Sequence, residues 1–256
     1  MGIITPTNED VTALEGLHLY HAGQSNCSMR VRMVLEEKSL EWTSHHIDLR
    51  KAENVTPEYF GIHPKGLVPA LVHDGVVIIE STDIINYLEE RFPEPALQPR
   101  DEASRQQMQE WLHLARDNHL HVKAYMFAHQ IGKRMAKTDA ELAIYRNLQN
   151  NEELLAFHAE NSSAEGLSEE RLATATNVLD DCFTKLEQAL REHEWIVGDA
   201  FSLADITWVP LYVTLNNARF PFNPYPSVLR WKDAVRTRPS YRIAVLDWMP
   251  KDLIRD

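Results

Sequence analysis

His63-Pro64-Lys65-Gly66-Leu67-Val68-Pro69-Ala70-Leu71, closed further on by Glu80-Ser81, is the stretch around which the chain is read. It spells loop, strand, tight turn, strand and helix start. Leu67 to Val72 is an apolar run interrupted by Pro69, and Asp74-Gly75 is a hairpin signal between that run and Val76-Val77-Ile78-Ile79. Glu80-Ser81-Thr82 then opens a helix through Ile84, Ile85, Tyr87 and Leu88 to Arg91. Proline cannot donate to a ladder, so it belongs at the first residue of a strand or at an edge. Pro69 therefore heads its strand and leaves Val68 with a free backbone N–H and C=O. Such an edge, beside a helix start that offers a carboxylate and a hydroxyl, suits an extended peptide.

Working outward, the chain has 256 residues, 44% of them hydrophobic and 25% charged, which is ordinary for one or two soluble domains. Lys+Arg 26 against Asp+Glu 38 gives a net charge of −12, which argues against nucleic acid or an anionic membrane as partner. No apolar run approaches about 18 residues, so no membrane span is expected. Residues 1–16 show neither a basic n-region nor an apolar h-region and read as a loose acidic tail. Two distant cysteines, Cys27 and Cys182, point to a reducing, cytoplasmic location without a disulfide framework. With no Cys-x-x-Cys or His-Glu-x-x-His, no metal site is expected.

Leu17-His18-Leu19-Tyr20 alternates and predicts a strand, followed by a polar loop from His21 to Ser25 and a helix ending near Ser39. Glu41 to Asp48 predicts a second strand, and Pro57 to Phe60 a short helix. The order is β-α-β-α-β-β-α over residues 17–95, with strands 1 and 2 parallel through a right-handed crossover. The prolines from Phe92 to Pro99 predict a boundary, set at residues 96–100. Residues 101–256 read as all-helical. One long helix is expected from Arg100 to about His129, and a mixed polar segment from Asn150 to Gly166. Leu172, Ala175, Leu179, Cys182, Leu186 and Leu190 form a stripe of period 3.6. Ser202-Leu203-Ala204-Asp205 is a capping box before a helix apolar nearly all round, placed in the middle of the helical half.

A β-α-β-α-β-β-α unit with proline heading its third strand resembles a thioredoxin-like domain. Joined to an all-helical C-terminal domain, it resembles a cytosolic glutathione transferase. His63 to Leu71 with Glu80-Ser81 is similar to the family's glutathione-peptide loop. Ser25-Asn26-Cys27-Ser28-Met29-Arg30-Val31-Arg32 looks like the serine-type catalytic segment of the zeta class, and Phe201 to Asp205 like the family's helical capping box. The resemblance implies glutathione as cosubstrate, a small electrophile as partner and a homodimer. It implies that Val68, ahead of Pro69, pairs its main chain with the cysteinyl part of glutathione. Glu80 and Ser81 then bind the γ-glutamyl ammonium and carboxylate, and either Lys51 or Lys65 meets the glycyl carboxylate. His63 stands where many members have asparagine.

Ser25 carries the chemistry in this reading. A thiol of pKa about 8.5 needs about 2.7 kcal/mol of preference for its anion to fall by two units. A hydrogen bond to a charged group contributes roughly 1.5–3 kcal/mol and a helix N-terminus about 0.3–1 kcal/mol. Ser25, just ahead of the first helix, is therefore a donor to glutathione's thiolate. Taken alone it is a plain N-cap. Cys27 is read as core rather than as a reactive thiol, because the family's cysteine-type classes place their cysteine where Ser25 stands. Trp111, His113, Tyr125, His129 and Trp208 are candidates for an acceptor pocket, with core packing the plainer reading.

Among subclasses, the resemblance favours bacterial β-etherases, which use glutathione to displace a phenol from a lignin-type β-aryl ether. The zeta-class maleylacetoacetate isomerase and a theta-type dehalogenase are the alternatives. A binding or scaffold subunit that keeps the fold without the chemistry is the reading of another class.

Overall fold

The computed structural model describes residues 2–254. Met1 of the expected tail, and Arg255 and Asp256 at the end of the expected helical domain, lie outside them. The sheet has five strands: β1 (Ile3–Ile4), β2 (Leu17–His21), β3 (Thr43–His46), β4 (Ala70–His73) and β5 (Val76–Ile78), in the order β1-β5-β4-β2-β3. β2 and β3 are parallel, and every other neighbouring pair is antiparallel. The thioredoxin-like order is present, with α1 (Asn26–Glu37) as the crossover between β2 and β3, the short α2 (Pro57–Phe60), and α3 (Ser81–Arg91) after the β4–β5 hairpin.

Residues 2–16 correct the expected loose tail. Ile3 and Ile4 pair with Ile78 and Val77, and Ile79 donates its amide to Gly2 O at 2.8 Å. Thr7 and Asn8 both donate to Gly61 O, and Val11 is buried. A two-residue strand has no period to detect; the open edge of β5 supplies the order. Gly75 makes the hairpin possible at φ 77°, and a Cβ there would stand 2.3 Å from Thr12 O.

The helical half contains α4 (Glu102–Asp117), α5 (His119–Met126), α6 (Asp139–Leu148), α7 (Glu152–Asn161), α8 (Glu169–Glu192), α9 (Leu203–Asn217), α10 (Pro226–Arg236) and α11 (Pro239–Ala244). The long helix expected over 100–129 is two. Asn118, at φ −100° and ψ 7°, ends α4, and its side chain donates to Leu114 O at 2.9 Å. An amide side chain that bonds the preceding turn competes with the helix ladder. After α5 the chain passes through a π turn at Phe127–Ile131. The mixed segment 150–166 holds α7, capped by Asn151.

The α8 stripe packs against α5 and α10. Helix α9 is buried almost throughout and touches α1, α4 and α5. Its capping box is closed at both ends: Asp205 accepts from Ser202 N at 2.9 Å, and it also takes Ile196 N at 3.0 Å and Trp231 Nε1 at 2.8 Å. Helix α1 joins the two halves, packing on α3 of its own half and on α9 and α11 of the helical half. The proline-rich connection is fixed by Lys38, which donates to Phe92 O and Pro95 O and pairs with Glu89 at 2.6 Å in the interior.

Candidate active site

Two loops and two helix starts make the site. The first loop runs from His21 to Ser25 and is clamped by Arg32 one helix face away. Its guanidinium donates to Ala22 O at 3.2 Å, Gly23 O at 2.8 Å and Ala244 O at 2.9 Å. It also meets His21 Nδ1 at 3.0 Å, and guanidinium can only donate, so that nitrogen accepts and Nε2–H is left for Ser44 Oγ at 2.7 Å. Burial and Arg32 push His21 down to about 3, so it is neutral at physiological pH. Trp248 stacks on His46 and lies under Arg32, so the C-terminal segment helps hold the loop.

Ser25 ends this loop as the N-cap of α1. Its Oγ accepts from Ser28 N at 3.3 Å, which leaves the hydroxyl proton to donate elsewhere. The plain capping role and a donor role are thus compatible.

The second loop, 63–69, is tied from several directions. Tyr59 donates to Leu67 O at 2.7 Å, Asn54 to Gly66 O at 2.7 Å, and Gln149 of the helical half to Lys65 O at 2.6 Å. Gly66 sits at φ 57°, where a Cβ would meet Phe60 at 2.7 Å. The Val68–Pro69 bond is cis. Among the described residues, neither the N–H nor the C=O of half-buried Val68 enters a backbone hydrogen bond, although its neighbours are fixed. The main chain of Val68 is thus left open, as an edge that another extended chain can pair with.

Glu80 stands at φ 65° and ψ 109°, a conformation that costs a non-glycine residue about 1–3 kcal/mol and gathers at ligand sites. Its carboxylate pairs with Lys65 at 2.5 Å. Ser81, the first residue of α3, accepts from Arg30 Nη1 at 2.7 Å, so α1 and α3 meet at this hydroxyl. Ser25, Lys65, Val68, Glu80 and Ser81 therefore lie on one connected framework. Lys51 does not join it: its side chain is 72% exposed and leans on Asp48 at 3.7 Å. Pro69 is buried and faces no other site group through a polar contact.

The expectation for Cys27 is corrected. It is half-buried rather than core, and its Sγ lies 3.9 Å from His119 Nε2. Burial opposes the thiolate, but His119, Arg30 and Ser81 together outweigh it and hold the thiol at about 6. Cys182 is the ordinary case, pushed up to about 11 by burial. Arg30, His119, Lys123 and Gln149 lie against these residues and were not singled out as candidates from the sequence. His119 and Lys123 stand four apart on α5, a same-face spacing that was available to be read. Arg30 and Gln149 gave no signal. Trp111 and Trp208 are core, edge-to-face at 5.8 Å with Trp208 Nε1 donating to Trp111 O. Tyr125 is buried against His129, and His113 is exposed.

A family model described as "Glutathione S-transferase, N-terminal domain" matches residues 24–91, and one described as "Glutathione S-transferase, C-terminal domain" matches residues 138–244. The chain is 31% identical over 214 residues to Glutathione S-transferase 1 of Dianthus caryophyllus, covering 80% of this chain and 82% of that one. It is 28% identical over 234 residues to a probable maleylacetoacetate isomerase of Caenorhabditis elegans, covering 91% and 94%. The crystal structure of the β-etherase LigF from Sphingobium sp. strain SYK-6 superposes with a TM-score of 0.80 at 28% identity, over 89% of this chain and 98% of that one.

Proposed function

We propose, for a chain that belongs to the glutathione S-transferase family, that glutathione lies along the Val68 edge with its sulfur at the N-terminus of α1. The unpaired main chain of Val68 between anchored neighbours carries this reading. The cysteinyl backbone pairs with Val68. The γ-glutamyl carboxylate meets the N–H groups at the start of α3 and the Ser81 hydroxyl. The γ-glutamyl ammonium takes Glu80, in competition with Lys65. Because Lys65 already neutralises Glu80, Lys51 is the better placed of the two lysines for the glycyl carboxylate. The division at residues 96–100, with glutathione held before it and the acceptor after it, belongs to the same proposal.

Ser25 donates to the thiolate, and the first turn of α1 adds its dipole. The thiolate then attacks an electrophilic carbon held close beside it. Two acceptor chemistries fit equally. Similarity to the β-etherase supports displacement at a β-aryl ether, in which a C–S bond forms, the C–O bond breaks, and the phenolate leaves and takes up a proton. Similarity to maleylacetoacetate isomerases supports reversible addition to a conjugated double bond, in which glutathione is returned. Displacement of halide is the third member of the set and shares the first step. A two-fold dimer and a cytoplasmic location complete the proposal; among the described residues, no helix is long and apolar enough to cross a membrane.

The test is to incubate the purified protein with glutathione and each acceptor class and to account for the products: thioether with phenol, thioether with halide, or an isomerised acceptor with glutathione unchanged. In parallel, the thiolate absorbance of bound glutathione is titrated. Ser25→Ala is expected to raise that pKa by about one to two units, the equivalent of about 1.5–3 kcal/mol. An unchanged pKa removes Ser25 from the mechanism. Absence of glutathione binding at about millimolar concentration removes the whole reading.

A further inference from the structure

Three successive carbonyls lead up to the open main chain of Val68, and a side-chain donor holds each of them. Lys65 O takes the Gln149 amide at 2.6 Å, Gly66 O the Asn54 amide at 2.7 Å, and Leu67 O the Tyr59 hydroxyl at 2.7 Å. The turn before them closes on itself: Lys65 N donates to His63 Nδ1 at 3.2 Å, and Gly66 N to His63 O at 2.8 Å. Asn54 and Tyr59 belong to the half that carries the sheet. Gln149 comes from the helical half, 84 residues beyond the carbonyl it holds.

Gln149 is 3% exposed, and its amide has one orientation. Asn151 N donates to its Oε1 at 2.9 Å, so Nε2 is the atom turned to Lys65, and an amide nitrogen donates. The residue stands just past the last turn of α6, at φ −102° and ψ 128°, with its own N–H on Tyr145 O at 2.8 Å. Helix α6 buries Leu142 and Tyr145, leaves Ile144 52% exposed and packs on α7. The C-terminal end of an outer helix is thereby tied to the loop 63–69. Peptide units are planar, with two soft dihedrals per residue, so three held carbonyls fix how the next unit is turned. An edge already turned toward its partner spares that partner the cost of ordering it.

We infer that Gln149 is a positioning residue for glutathione: from the helical half it sets the main chain of Val68 in the orientation that the cysteinyl part pairs with. This inference rests on the glutathione reading above. The side-chain bonds of Gln149 go to Lys65, Tyr145 and Asn151, and none to Ser25 or α1. It therefore acts on binding and leaves the acidity of the bound thiol to Ser25. Linkage is reciprocal: if the ordered end of α6 favours glutathione, bound glutathione favours that order by the same factor.

The experiment titrates glutathione calorimetrically into the full chain and two variants, and reads the thiolate absorbance of the bound form. Gln149→Met keeps the reach of the side chain and removes the donor. Its affinity for glutathione is expected to fall about tenfold, the equivalent of about 1.4 kcal/mol, with the pKa of the bound thiol unchanged. Asn151→Ala removes the cap of α7, which accepts from Leu154 N at 3.0 Å, and leaves the bond to Lys65 in place. It should keep the affinity within about twofold. In the unaltered protein, saturating glutathione should slow hydrogen exchange of the Gln149 amide by about tenfold, the reciprocal effect; this arm needs no variant to fold. An affinity unchanged by Gln149→Met, a loss that Asn151→Ala matches, a loss accompanied by a raised thiol pKa, or an exchange rate indifferent to glutathione overturns the inference and leaves the glutathione reading standing. Failure of glutathione to bind the unaltered chain overturns that reading, and this inference with it.

Discussion

His119→Ala tests the electrostatics at the start of α1. The Cys27 sulfur is 3.9 Å from His119 Nε2, and a thiolate only accepts, so against the ionised sulfur Nε2 carries the proton. Burial is the largest influence on this thiol and favours the neutral form; two contributions of His119, with Arg30 and Ser81 behind them, bring it down to about 6. At pH 7 a thiol of pKa about 6 is roughly 90% thiolate. Without His119, burial regains its hold and the thiol returns to its ordinary value of about 8.5 or above, at most about 3% thiolate. The reactive fraction thus falls about 30-fold. The more basic thiolate is also the better nucleophile; with a Brønsted coefficient of about 0.4–0.5, a rise of about 2.5 units returns roughly tenfold to eighteenfold. The net loss at pH 7 is only about twofold to threefold, so a single rate decides little. The pH profile decides. Alkylation of Cys27 by iodoacetamide, followed by peptide mass from about pH 5 to 10, should show a midpoint near 6 in the unaltered protein. In the variant it should show a midpoint at about 8.5 or higher, with a faster alkaline plateau. Buried Cys182, at about 11, stays silent over that range. A midpoint still near 6 after His119→Ala, or one near 8.5 before it, refutes the reasoning.

Two further changes probe the frame that holds the site. Asp205→Ala orphans the buried donors Ile196 N, Ser202 N and Trp231 Nε1, at about 1–3 kcal/mol each and less than additively. A loss of about 4 kcal/mol is expected, lowering Tm by roughly 8–16 °C in calorimetry, and a loss below about 1 kcal/mol would contradict the role given to this carboxylate. Gly75→Ala sets a Cβ at φ 77° and 2.3 Å from Thr12 O, so the first strand should loosen from β5. Hydrogen exchange at the Ile79 amide, which donates to Gly2 O, should quicken by about tenfold or more, the equivalent of about 1.4 kcal/mol. Unchanged protection would show that the turn and the N-terminal segment are independent.

Much of the architecture was legible because it rests on short-range rules. Alternation gave β2, the Asp74-Gly75 pair gave the hairpin, steps of three and four gave α8, and Ser202 with Asp205 gave the start of α9. The errors fell where neighbours far along the chain decide. The N-terminal segment is ordered by the edge of β5, and Asn118 splits a helix that its composition would have continued. In the site, the framework of Ser25, Val68, Glu80 and Ser81 was readable from proline placement and helix starts. Lys51 and Lys65 stood as equals in the sequence; the fold gives Lys65 to Glu80 and leaves Lys51 exposed.

By itself, then, the sequence determined the open main-chain edge at Val68 and the hydroxyl of Ser25 at the start of α1. A proline that cannot join a ladder and a hydroxyl ahead of a helix act within a few residues of themselves. Only the tertiary structure decided what surrounds the sulfur. Cys27 owes its acidity to a histidine from a different half of the chain, and Lys123 owes its lowered pKa to burial and to the neighbouring Lys137. Charge and desolvation depend on distances in space, and no spacing along the chain records them.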